Sequence, residues 1–263
     1  MLIGFTVMQH AFAGGGATDA EVAALPKQSK KPTTSADIWV LQQTHADVGT
    51  EDIYIAPDAV KIFNRRSGYE LLCKAPKWEV HGFRRSEKLE WISPLALFDG
   101  LLIANPNAVS HVNKSVLLPK TKGKKLGLSY THFTPRNNFL SSVDGTTDII
   151  TAPEVIEFIC RLYRCPNTHT VPLQITIYHG KRKLPKFKME RIGLDIGNDL
   201  RNGQITELST ESWKKIPYTA DIFALPVSYK RTMSLPQVTY SSAMKDQFDE
   251  MFREGNGFRS EMH

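Results

Sequence analysis

The chain has 263 residues, with 33 basic side chains against 27 acidic ones for a net charge of +6, and three cysteines. That length suits one sizeable globular domain or two small ones. No apolar run reaches the roughly 18 residues of a membrane-spanning helix, and the cysteines are too few for a disulfide scaffold. The positive balance favours weak attraction to anionic lipid headgroups, lipopolysaccharide, acidic polymers or nucleic acid, and selects none of them.

Leu2 to Val7 is apolar and leads through Ala11 Phe12 Ala13 into Gly14 Gly15 Gly16, the small-x-small pattern that a signal peptidase cuts. Residues 1–13 therefore read as a signal peptide, although no Lys or Arg precedes the apolar core. A buried N-terminal helix is the competing reading, and it lacks a capping residue while the glycines behind it would break it. The mature chain is expected to begin near Gly14 and to work outside the cytosol, in the periplasm or beyond the cell. Pro26 to Ser35 is polar, basic and proline-bounded, so residues 14–35 read as a flexible linker. Folding should start near Ala36.

From Asp37 to Ile92 the apolar residues recur at period two: Ile38 and Val40, Val60 and Ile62, Leu71 and Cys73, Trp78 and Val80, Leu89 and Trp91. This pattern predicts a β-meander, with turns at Pro57 Asp58, Arg66 to Gly68 and Ala75 to Lys77. Several strands are apolar on both faces, since Trp39 and Leu41 alternate with Ile38 and Val40, and Phe63 with Ile62. Such a sheet needs a helix, a second sheet or an apolar ligand over its second face.

Ser93 to Leu102 reads as a turn or short helix, followed by strands at Val112 to Leu118 and Lys125 to Phe133. Thr151 is the expected cap of a helix reaching Arg164, with Pro153 and Glu154 in its first turn and Val155, Phe158, Ile159 and Leu162 at helical spacing. That apolar stripe should dock on the sheet. Strands follow around Leu173 to Ile177 and around Phe187 and Met189, and Asn202 Gly203 is a hairpin signal. A last amphipathic helix is expected over Ser241 to Arg253. Residues 36–238 thus form the sheet domain, and 239–263 an amphipathic helix and tail.

The candidate chemistry is weak. His132, Ser141 or Ser142 and Asp144 could supply a hydrolase triad, but no G-x-S-x-G elbow frames a nucleophile. Asp144 to Asp148 is too short for a calcium loop. Cys160, Cys165 and His169 suggest zinc, yet no second ligand pair stands at the required spacing, so no metal site and no cofactor are expected. Cys160 and Cys165 straddle the helix end and could bridge if the chain turns back after Arg164. Arg65, Arg66, Arg84, Arg85 and Lys88 lie near Trp78 and Trp91, a mixture compatible with nucleic acid, but export makes that partner unexpected and anionic lipid the better match.

The strand pairs from Val60 to Trp91, the Pro-Glu helix carrying Cys160 Arg161 Leu162 Tyr163, and Ile216 Pro217 followed by Phe223 Ala224 Leu225 Pro226 Val227 Ser228 Tyr229 Lys230 occur in this order. In this the chain resembles uncharacterised bacterial exported proteins of the LolA-like superfamily, relatives of the lipoprotein-localisation carriers, over about Ala36 to Leu235. The resemblance implies a mainly β fold with α: a strongly curved antiparallel sheet forming a half-barrel, covered by one or more helices, whose apolar concavity holds acyl chains. The linker, the weak signal peptide and the extension after Leu235 depart from that pattern. The expected function is accordingly that of an exported, non-enzymatic binding protein for a lipid, a lipoprotein or another apolar ligand, with Trp39, Phe63, Leu72, Trp78, Phe83 and Trp91 as candidate ligand-lining residues. A ligand-free, envelope-associated interaction module is the alternative, and a hydrolase the third reading.

Overall fold

The computed structural model describes residues 37–101, 116–135, 141–178 and 204–240. The readings on the signal peptide, the linker, the strand around Phe187 and Met189, the Asn202 Gly203 turn and the helix at Ser241 to Arg253 lie outside the described residues.

The described chain is mostly β. Six strands follow one another as a meander: β1 (Ile38–His45), β2 (Gly49–Ala56), β3 (Ala59–Asn64), β4 (Tyr69–Lys74), β5 (Glu79–Arg84) and β6 (Leu89–Pro94). Then come β7 (Leu117–Lys125), β8 (Leu128–Pro135), β9 (Ser141–Thr146), β10 (Val171–Tyr178), the long β11 (Gln204–Ile216) and the short β12 (Lys230–Arg231). They form one open sheet of twelve strands in the order β12-β6-β5-β4-β3-β2-β1-β11-β10-β9-β8-β7. All neighbours are antiparallel except β12 on β6. The two meanders meet where β11 pairs with β1, Trp39 opposite Lys215 and Leu41 opposite Trp213.

The meander follows its expected turns. Pro57 Asp58 joins β2 to β3, and Ala75 to Trp78 joins β4 to β5 with Trp78 at φ +52°. The basic run before Leu126 differs from expectation. The expected strand ends at Leu118, whereas β7 continues through Lys125 and turns at Leu126 and Gly127, both at positive φ. Lysine alternating with small residues still satisfies a strand when its side chains face water, and a hydrophobicity pattern cannot register that.

Helix α1 spans Pro153–Leu162, with Pro153 in the first turn, Glu154 near its N-terminus and Arg161 in its last turn, all favourable to the helix geometry and dipole. Ala152 occupies the cap position expected of Thr151. The Thr151 hydroxyl instead donates to Ala56 O at 2.8 Å, and Ala152 N donates to Pro57 O at 2.8 Å. These bonds tie the helix start to the β2–β3 turn. Short turns of 3₁₀ type occur at Leu95–Leu97 and Ala220–Phe223, and a short helix α2 covers Leu235–Thr239.

Strand alternation divides the β1–β6 side chains into two sets. One face carries Leu41, Ile53, Ile55, Val60, Ile62, Leu71 and Val80, which are buried in a cluster with Val155, Phe158, Ile159 and Leu162 of α1, Phe98, and Leu235 and Val238 of α2. The other face carries Ile38, Ala56, Ala59, Leu72 and Phe83, buried with Phe223 and flanked by Ile222, Leu225 and Tyr229. The second apolar face expected from the sequence is thus met by the chain around the 3₁₀ turn, anchored where Lys74 Nζ donates to Phe223 O at 3.0 Å.

Candidate functional site

The six candidate lining residues fall on both faces. Cross-strand pairing places Trp39 with Ile55 and Trp91 with Gly82, on the α1 side. Phe63 pairs with Glu70, Leu72 with His81 and Phe83 with Glu90, on the other side. Leu72 and Phe83 are fully buried in the second cluster, while Phe63 is half-buried. Trp78 sits in the β4–β5 turn, against the margin of the first cluster. Trp91 packs on Phe98 with ring centroids 6.2 Å apart, and Phe98 stacks on Phe158 at 5.4 Å.

Trp39 meets a partner that the sequence reading missed. Its ring lies 5.0 Å from that of Trp213 on β11, and Lys215 Nζ stands 4.3 Å over the Trp39 ring, an electrostatic contact with the ring face. The Trp213 indole N–H donates to Leu126 O at 2.8 Å, joining β11 to the β7–β8 turn. Both tryptophans are half-buried, as is Leu117 on β7, which packs against the same cluster. Lys215 and Lys124 are exposed, so cationic groups stand on the strands that form this aromatic ledge. Trp213 lies within Ser209 to Lys215, a polar run whose hydrophobic pattern gives no hint of it.

A second missed feature lies under the end of α1. Glu51 is fully buried on β2. Its Oε1 accepts from Tyr69 Oη at 2.8 Å and Asn64 Nδ2 at 3.2 Å, and its Oε2 accepts from Tyr163 Oη at 2.8 Å. Among the described residues no cation lies within ion-pair distance of it, so neutral donors alone hold the carboxylate. Burial first, then the Glu51 charge and its hydrogen bonds, raise both tyrosine pKa values well above the usual phenol range. Both phenols therefore stay protonated donors at neutral pH. His45 stacks on Tyr163 at 5.5 Å and accepts the Asp47 N–H at Nδ1, which leaves its Nε2 proton toward Glu207, 3.6 Å away. This centre locks the helix end to β2, β3 and β4. The clue was parity, because Glu51 shares a strand face with Ile53 and Ile55.

The hydrolase candidates come together in part. His132 Nδ1 and Asp144 Oδ1 are 2.6 Å apart on directly opposed positions of β8 and β9. Ser141 and Ser142 are buried on β9. A cross-strand His–Asp pair of this kind also serves simply to stabilise a sheet. Among the described residues no three His, Cys, Asp or Glu side chains gather as a metal site, and no helix is long and apolar enough to cross a membrane. On the face away from α1, a shallow groove of about 230 Å³ runs over Val40, Tyr54 and Ile216 and is bounded by Lys214 and the Arg65–Asp52 pair.

No family model matches the chain, and no curated protein matches it. Among solved structures it is similar to an uncharacterised conserved protein from Thermus thermophilus, at 10% identity and a TM-score of 0.40, covering 75% of this chain and 90% of that one.

Proposed function

We propose that the protein is an exported, non-enzymatic binding protein of LolA-like kind, holding the acyl chain of an anionic lipid or lipoprotein against the Trp39–Trp213 ledge of a curved sheet. Curvature is supported by the Trp213 indole, which donates to Leu126 O in the β7–β8 turn at 2.8 Å. The nearer strand of that turn, β8, is three ladders from β11 in the sheet, about 14 Å if it were flat at about 4.8 Å per strand. A sheet curled toward the indole brings the two within a single hydrogen bond.

The observation that carries the reading is the unequal filling of the α1 side. Leu41, Ile53, Ile62 and Leu71 have no exposure there, while Trp39, Trp213 and Leu117 remain partly exposed, as Trp78, Leu89 and Trp91 do elsewhere around the same cluster. An acyl chain covering about 200 Å² of that apolar surface would gain about 5 kcal/mol, before the costs of association. Lys215 and Lys124 suit an anionic headgroup, in keeping with the net charge of +6.

The solid packing of the β1–β5 half and its closed Glu51 centre favour the second reading, a ligand-free envelope-associated interaction module. Native mass spectrometry of the protein purified from an exporting bacterium separates the two. Carriage predicts a co-purified acyl ligand, and the module predicts the bare chain together with no uptake of a fluorescent fatty acid.

A further inference from the structure

The C-terminus of α1 ends in a turn closed by two cysteines. After Leu162, Tyr163 adopts φ −89° and ψ 5°, and Arg164 swings to φ +52°. Arg164 N donates to Arg161 O at 3.1 Å and Cys165 N donates to Cys160 O at 3.0 Å, the paired bonds of a Schellman turn. That motif brings together the side chains of the residues joined by the outer bond, a contact usually made by apolar groups. Here those residues are Cys160 and Cys165, each 3% exposed.

The outer bond also limits the backbone separation. The path from one Cα through C=O···H–N to the other cannot exceed about 7 Å, the upper limit for a bridgeable pair. The surrounding chain holds the turn in place. Arg161 Nη1 donates to Phe98 O at 3.1 Å and Arg164 Nε to Asp99 O at 3.2 Å. Gly100, at φ +74°, passes so close that a Cβ there would lie 2.4 Å from Arg161 O. Cys73 stands apart in sequence, on β4 opposite Val60 and Val80.

We propose that Cys160 and Cys165 form a disulfide in the oxidised protein, a covalent staple across the C-terminal turn of α1, with Cys73 left as the free thiol. The staple is independent of what the protein binds. One thiolate attacks a disulfide oxidant such as glutathione disulfide and releases one glutathione; the second cysteine attacks the mixed disulfide and releases the other. Two protons and two electrons leave the protein, and the oxidant becomes two thiols. In the reduced folded state, the Cys160 hydrogen bond and then burial push the Cys165 thiol well above its usual range. The Cys165 thiolate is therefore scarce once the turn is closed, and its part in the exchange falls during folding.

The test uses the full chain, reduced and unfolded, then refolded with reduced and oxidised glutathione, alkylated in denaturant and digested with trypsin. Arg161 and Arg164 lie between the cysteines, so cleavage leaves a peptide ending at Arg161 and another beginning at Cys165. The staple predicts these two joined, at a mass two hydrogens below their sum, with Cys73 alkylated and the same link present in Cys73→Ser. Reductant should then lower the thermal midpoint of the wild type and leave Cys165→Ser unmoved. Alkylation of all three cysteines, or a link to Cys73, overturns the proposal.

Discussion

Tyr163 at the end of α1 donates its phenolic hydrogen to Glu51 on β2 at 2.8 Å, across 112 residues of chain. Through this bond the last helical turn answers a carboxylate that no cation among the described residues neutralises. Tyr163→Phe keeps the ring and its stack on His45 but leaves Glu51 one donor short. The expected loss is about 1–3 kcal/mol, measured by denaturant unfolding. A loss below about 0.5 kcal/mol would mean that water replaces the hydroxyl and that the centre is not closed.

Phe158 has no exposure and stacks between the helix and Phe98. Phe158→Ala removes a whole ring from the junction of α1 with the sheet, and should cost about 3–5 kcal/mol. A change below about 0.5 kcal/mol in the same measurement would place that helix face in solvent.

Glu70 supplies a pH dependence. Burial raises its pKa, but the hydrogen bonds from Arg85 and Lys61, the latter with Nζ at 2.6 Å, outweigh this and hold it below the usual carboxylate range. A folded pKa below the unfolded one, about 4.3, makes the carboxylate's contribution complete above that pH and lost as pH falls through the folded value. The wild type should therefore be more stable than Glu70→Gln near neutrality, and the difference should shrink as pH falls below about 5 and through the folded value. A difference independent of pH would show that Glu70 does not act through its charge.

The meander β1 to β6 was legible because alternating apolar residues and turn residues coincide there. The helix was legible from its apolar stripe, whereas its cap was not. Thr151 has the right chemistry at a position one residue too early, and Ala56 takes its hydroxyl instead. The cover over Leu72 and Phe83 was hidden because it is built from Phe223 in an irregular segment with no period to detect. The Trp39–Trp213 contact joins the two meanders, and only the pairing of β1 with β11 creates it. The candidate residues are large apolar side chains, and their sequence positions alone do not say which face of the sheet lines a concavity. A one-residue step along a strand reverses the face, which is why Phe63, Leu72 and Phe83 lie opposite Trp39 and Trp91.

Acyl-chain binding at the tryptophan ledge is tested most directly by fluorescence quenching with a fatty acid brominated along its chain. The chain contains four tryptophans, and those at 39 and 213 should be quenched saturably while those at 78 and 91 are spared. Quenching should therefore be strong in the wild type and largely lost in the Trp39→Phe, Trp213→Phe double variant. Absence of saturable quenching in the wild type, or full quenching in the double variant, would contradict ligand binding at this site.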